Sequence, residues 1–176
     1  MSKTVLLSIK PKYCEFIANG KKTIEVRKTK PELELPFKCY IYCTKSNDGL
    51  IKGDISTTVD YVAKNSGKVI GEFVCDKIIT VDCDSIAPFN KESGEYIDKE
   101  TCLDRDTLWK YTNGRCVYGW YISDLKIYDE PKELGEFYKI PSKCHRGIQK
   151  DNCDYCFDCQ ITRPPQSWRY VEEAEQ

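Results

Sequence analysis

Strand-like stretches outnumber helix-like ones in this chain, and the two do not alternate regularly. Apolar residues recur with a two-residue period, or run together, in TVLLSIK (4–10), KTIEVRK (22–28), KCYIYCT (38–44), VIGEFVCDKIITVD (69–82) and CVYGWYISDLKIYDEP (116–131). Only two stretches suit helices, and both are short. In PKYCEFIANG (11–20), Pro11 fits a first helical position, Tyr13, Phe16 and Ile17 share a face, and Gly20 fits a left-handed stop. In ETCLDRDTLWKYTNG (100–114), Leu103, Leu108 and Tyr111 form an apolar side that ends at Asn113–Gly114. The order β-α-β-β-β-α-β lacks the βαβ alternation of a doubly wound sheet. It predicts an α+β fold, a small β-barrel with two short helices at its ends.

Within the third strand the period places Cys39, Ile41 and Cys43 on one face and Tyr40 and Tyr42 on the other. Gly71 and Gly119 interrupt long strands, and Gly71 suggests a bulge or a close backbone approach. Residues 45–68 are polar and glycine-bearing and read as a surface excursion, and 84–100 read as loop. The texture changes near residue 132, where prolines, four cysteines and the single histidine gather. The division expected is a barrel domain over 1–131 and a Cys-rich extension over 132–176 packed on it. In that extension Pro164 and Pro165 force an extended course, and Trp168 and Tyr170, one strand period apart, pin it to the barrel.

The second strand is unusual for its charge. With Ile24 and Val26 turned to the core, Glu25 and Arg27 stand on the opposite face, about 7 Å apart, and Lys22 at the strand's start reaches the same side. A lysine and an arginine around a carboxylate suit a phosphate-bearing ligand, with the carboxylate accepting from a base amino group or activating water. A solvated strand face carrying an ordinary surface ion pair is the plainer interpretation. Net charge is −1 and the sequence pI about 6.0, so nothing in the overall balance resembles a duplex-coating protein. Any nucleic-acid role must rest on a local site, and the Lys- and Arg-rich first 30 residues supply a positive face for one.

Gly20, Lys22, Glu25 and Arg27 form G-x-K-x-x-E-x-R. That pattern, between a strand–helix opening and a closing VYGWYISDLKIY, resembles the ASCH domains, relatives of the PUA-like RNA-binding barrels. The resemblance covers about residues 4–130 and implies a PUA-like barrel with a charged cleft beside the first helix. It implies that Gly20, Lys22, Glu25 and Arg27 bind RNA or a nucleotide-like ligand. One ASCH-like branch hydrolyses acetylated cytidine. The chain departs from that branch in having Glu25 where a threonine nucleophile is expected, with Thr23 in a neighbouring position. An amidohydrolase or ribonuclease using Lys22 and Glu25 is the competing expectation, with Glu72 a second carboxylate if its strand flanks the cleft. Tyr118, Trp120 and Tyr121 are candidates to stack a base, although alternation favours the core for Trp120. The tail is similar to that of small ASCH proteins of phages and mobile elements.

Cys144, Cys153, Cys156 and Cys159 are spaced C-x8-C-x2-C-x2-C, and the two-residue gaps let thiolates turn onto one ion. Structural zinc is the expected cofactor, with His145 a substitute ligand. An iron–sulfur cluster and a metal-free tail are the other readings. A zinc-stapled tail also raises the prospect of a protein-interaction module. The remaining cysteines, 14, 39, 43, 75, 83, 102 and 116, read as small apolar fillers. The N-terminus begins directly on a strand rather than a signal sequence, and no apolar run approaches the roughly 20 residues of a membrane span. A cytoplasmic monomer is expected.

Overall fold

The computed structural model describes residues 3–45, 57–82, 87–139 and 159–173. Two sheets carry the architecture. The larger has six strands in the order β10-β11-β1-β3-β4-β9, formed by Phe37–Cys43 (β3), Val69–Cys75 (β4), Ser123–Lys132 (β9), Phe137–Lys139 (β10), Trp168–Glu173 (β11) and Thr4–Ile9 (β1). The smaller has five, in the order β2-β8-β5-β6-β7. These are Ile24–Arg27 (β2), Val117–Tyr121 (β8), Ile78–Asp82 (β5) and the two-residue strands Phe89–Asn90 (β6) and Glu95–Tyr96 (β7). All neighbours are antiparallel except β1 and β3, which run parallel.

The architecture is therefore mixed α/β with two sheets, and the expected closed barrel is not formed among the described residues. The reason lies in two stretches read as long strands. Residues 69–82 bend at Asp76–Lys77, so that β4 joins the large sheet and β5 the small one. Residues 117–132 break at Ile122 in the same way between β8 and β9, with Asp124 at φ 47° just beyond. Gly71 marks a register shift between β4 and β9, and a Cβ there would lie 2.5 Å from the Lys126 carbonyl oxygen.

Four α-helices, rather than two, accompany the sheets among the described residues. Pro11–Ala18 (α1) is as expected, with Pro11 in its first turn and Gly20 at φ 75° just beyond its end. The expected second helix is two: Asp98–Thr101 (α3) and Arg105–Thr112 (α4). Cys102 between them is left-handed at φ 51°, and Asp104 restarts the helix by accepting from the Thr107 N–H at 2.7 Å. Asn113 and Gly114, both left-handed, end it. The polar excursion at 45–68 is partly outside the described residues, but Thr57–Lys64 (α2) is a helix that buries Val62 completely.

Three apolar clusters follow. The first packs Val5, Leu7 and Ile9 with Cys39, Ile41 and Cys43, α1, α2 and Trp120. The second, on the other face of the large sheet, holds Leu6, Tyr40, Tyr42, Phe137 and Val171. The expected division of faces on β3 is thus observed, as is a buried Trp120. The third, under α4, holds Ile24, Val26, Ile79, Val81 and Leu108. Cys14, Cys39, Cys43 and Cys75 fill space in the first cluster as expected, whereas Cys102 is half-buried and Cys116 exposed. Cys83 lies outside the described residues.

The chain after residue 131 contributes strands to the large sheet. β11 lies between β10 and β1, with Leu7 opposite Trp168 and Val5 opposite Tyr170. Trp168 packs at 5.9 Å on Trp120 with the rings tilted by 60° and donates from Nε1 to Thr29 Oγ1 at 3.0 Å, and the Tyr170 hydroxyl accepts from the Glu32 N–H at 2.7 Å, so the two aromatics dock as expected. Removal of residues 166–176 deletes this strand and bares one edge of β1. Circular dichroism melts of the truncated chain are expected to lose the cooperative transition of the full chain. A truncated chain melting within a few degrees of the full one would contradict this.

Candidate functional site

Both faces of β2 are buried, which the two-residue period alone does not reveal. Ile24 and Val26 enter the cluster beneath α4, while Glu25 and Arg27 sit opposite Trp120 and Tyr118 across β8, toward the large sheet. Glu25 and Arg27 are each 6% exposed and Lys22 is 2% exposed. The alternative of a solvated strand face is excluded by that burial.

These three side chains meet at ion-pair distance. Glu25 Oε1 lies 2.9 Å from Arg27 Nη2, and Glu25 Oε2 lies 3.4 Å from Lys22 Nζ. Each cation also donates to a backbone carbonyl: Lys22 Nζ to Thr101 O at 2.6 Å, and Arg27 Nη2 to Ser8 O at 2.9 Å. Thr101 ends α3, so the lysine satisfies a carbonyl that the short helix leaves unpaired. Burial pulls the Lys22 ammonium below the usual lysine value, and the Glu25 carboxylate opposes that shift. Arg27 Nε is buried with no hydrogen-bond partner among the described residues.

The trio lines a cleft of about 790 Å³. One side is the end of β1 and the start of α1, another is α4, and a third is the C-terminal stretch 164–166. Six cations line it (Lys10, Lys12, Lys22, Arg27, Lys45 and Lys110), and Glu25 is the only carboxylate among the described lining residues. A chain of net charge −1 therefore concentrates positive charge in one concavity. Gly20 does not line the cleft; its role is its left-handed backbone at φ 75°, and a Cβ there would meet nothing within 4 Å.

Several residues weighed for the cleft lie elsewhere. Glu72 is on β4, bonded to the Tyr128 hydroxyl at 2.5 Å and paired with Lys38 at 3.3 Å. Burial would raise its carboxyl, but the Tyr128 hydroxyl and Lys38 outweigh burial and lower it. Thr23 is exposed, its N–H donating to Glu100 O at 2.9 Å. Trp120 is wholly buried, Tyr118 lies beneath Lys30 and Tyr121 beneath Lys77, and none lines the cleft. The aromatics of the cleft are Tyr13, under Lys22 at 5.3 Å, and Tyr111, under Lys28 at 4.9 Å. Burial raises both phenols, so both stay protonated at neutral pH.

The C-terminal wall gives no signal in the local sequence. Ser8 Oγ donates to Pro165 O at 2.6 Å, and Arg27 Nη1 reaches Ser167 O and Oγ at 3.4 Å. The Ser8–Pro165 bond joins residues 157 places apart, beyond the reach of a spacing rule. Of the cysteines expected to bind metal, Cys144, Cys153 and Cys156, with His145, lie outside the described residues, and Cys159 is buried. Among the described residues no group of three or more His, Cys, Asp or Glu is placed to hold an ion.

No family model matches the chain, and no curated protein matches it. Solved structures do. The ASCH protein of Zymomonas mobilis superposes with a TM-score of 0.58 at 18% identity, over 97% of this chain and 88% of that one. A serine-to-alanine mutant of that protein gives 0.59 at 18% identity, over 97% and 89%. A tyrosine-to-phenylalanine mutant gives 0.57 at 18%, over 97% and 91%. The fold is shared with these ASCH proteins. At such identity the likeness concerns architecture, and it supports the resemblance seen in the G-x-K-x-x-E-x-R pattern at the level of the fold. Among the described residues no helix is long and apolar enough to cross a membrane.

Glu25→Gln leaves two buried cations without their shared counter-charge and is expected to cost about 3–5 kcal/mol. Adding Lys22→Met should restore part of that loss, because one stranded charge is removed. Urea titration of the two variants checks both directions. Equal stability of Glu25→Gln and the parent chain would contradict the arrangement.

Proposed function

We propose that the chain binds RNA or a nucleotide-like anion in the cleft built around Lys22, Glu25 and Arg27. The observation that carries this reading is a buried trio with two positive charges and one negative, facing a concavity also lined by Lys10, Lys12, Lys45 and Lys110. A surplus positive charge held away from water is stabilised by an anion more than an exposed lysine would be. Tyr13 and Tyr111 offer faces on which a base can stack.

The hydrolytic reading, an amidohydrolase or ribonuclease with Lys22 and Glu25 as catalytic groups, asks Glu25 to draw a proton from water. Both of its oxygens already face cations, at 2.9 and 3.4 Å, which favours a structural and electrostatic role for it. We therefore place binding first. We also propose a structural zinc held by Cys144, Cys153, Cys156 and Cys159. Its support is the two-residue ligand spacing, together with the burial of Cys159 beside the Gln160–Tyr138 bridge that ties this segment to β10.

Binding of a fluorescent uridine tetranucleotide is expected to weaken with salt, with a log–log slope of roughly −1.4 to −2.1 for two or three phosphate contacts. Arg27→Met is expected to weaken it at least about tenfold, the order of one charge-assisted hydrogen bond. Salt-independent binding, or an unchanged Arg27→Met, would refute the site. For the tail, elemental analysis should find one zinc per chain, and Cys156→Ser should lose it and lower the melting temperature. A purified chain free of zinc, iron and other transition metals would refute that proposal.

A further inference from the structure

Among the described residues four cysteines are wholly buried in the first apolar cluster, and two of them differ from the others. Cys14 lies on the buried side of α1, and Cys43 ends β3. Both converge on one backbone group. Cys14 Sγ donates to the Ile9 carbonyl at 3.5 Å, and the Thr44 N–H donates to the same oxygen at 2.9 Å. Ile9 is the register partner of Cys43 where β1 and β3 run parallel. The strand period that turns Cys39 and Ile41 into the cluster turns Cys43 into it as well, toward Cys14.

The surroundings of the two sulfurs are unequal. Cys14 is sealed from solvent, and burial pushes its thiol well above the usual range. Cys43 Sγ lies 3.9 Å from the hydroxyl of Ser66, a half-buried residue just beyond α2. The Cys14 thiol and the Ser66 hydroxyl favour a thiolate at Cys43, and together they outweigh burial and hold that thiol below its ordinary value. An acidic thiol beside one that keeps its proton is a nucleophile beside a resolving partner. Cys39 and Cys75 form no such pair. Across β3 and β4, Cys39 is opposite Phe73 and Cys75 is opposite Phe37. Burial raises both of these thiols, Cys75 to about 12.

We propose that Cys14 and Cys43 are a reversible redox pair that hydrogen peroxide closes to a disulfide. The peroxide arrives past Ser66, and the Cys43 sulfur attacks one of its oxygens. The O–O bond breaks, water leaves, and Cys43 becomes a sulfenic acid. The Cys14 sulfur then attacks that sulfur, the S–O bond breaks, and a second water leaves with the Cys14 proton. The two thiols lose two electrons and two protons, and the peroxide is reduced to two waters. The bond joins α1 to β3 and closes a loop that contains β2 with Lys22, Glu25 and Arg27. Tyr13 and Thr44, next to the two thiols in sequence, line the cleft, so closure fixes part of its wall. The inference does not depend on what the cleft binds.

The test exposes the native full chain to hydrogen peroxide, alkylates the remaining thiols, and maps tryptic peptides by mass spectrometry. The expected product is a cross-link between peptides 13–21 and 39–45, with fragmentation placing it at Cys43 rather than Cys39. Dithiothreitol should remove it, and oxidation in urea should lower its yield to the level of random pairing. In Cys14→Ser the resolving thiol is gone, so dimedone, which traps sulfenic acids, is expected to label Cys43. Cross-links confined to other cysteines, a native yield no higher than that in urea, or dimedone labelling that misses Cys43 would overturn the inference. The cross-link is read on the unmodified chain, so that result holds whether or not Cys14→Ser folds.

Discussion

The shared carboxylate of Glu25 holds the centre of this structure together. Without it, Lys22 and Arg27 would be two like charges within a protein interior, each 6% exposed or less. With it, each cation has a counter-charge and a carbonyl acceptor. Such burial adds little net stability, because desolvation consumes most of the attraction. Its consequence is geometric: the position of β2, the end of α3 and the end of β1 are all tied to one carboxylate. Positive charge is left over, and it faces a concavity.

The same interaction couples distant parts of the chain. Arg27 reaches Ser8 and Ser167, and Ser8 reaches Pro165, so the wall formed by 164–167 is bonded to the cleft floor. The strand that follows, β11, completes the large sheet beside β1, and Trp168 packs on Trp120 directly across from Glu25. Fold and site therefore share their supports. A change that loosens the C-terminal strand is transmitted to Arg27 through backbone hydrogen bonds.

Much of this was legible in the sequence because it depends on local rules. Pro11 and Gly20 bracket α1, the two-residue period assigns β3 its faces, and the spacing of Lys22, Glu25 and Arg27 brings them together. What escaped depends on the third dimension. Alternation treats a charged face as exposed, but β2 has a second layer over each side. The bends at Asp76–Lys77 and Ile122 divide continuous apolar runs between two sheets, and only the packing of those sheets reveals them. The three-residue spacing of Val59 and Val62 was concealed by polar neighbours, and a left-handed Cys102 is not a residue type that announces a helix break. Ser8 and Thr101 meet Arg27 and Lys22 through their carbonyl groups, for which side-chain identity carries no signal.

In the proposed reading buried Lys22, part of a charge surplus, is the group that would meet an anionic ligand, and proton linkage tests this directly. Burial lowers the Lys22 ammonium below its ordinary value of 10.5 in the unliganded chain. A phosphate nearby favours the ammonium and raises it again, so binding takes up protons in the interval between the two values, and affinity falls as pH rises through it. Calorimetry of tetranucleotide binding at alkaline pH, in two buffers of different ionisation enthalpy, is expected to show proton uptake that disappears in Lys22→Met. Binding without proton exchange, or uptake that survives in Lys22→Met, would contradict the account.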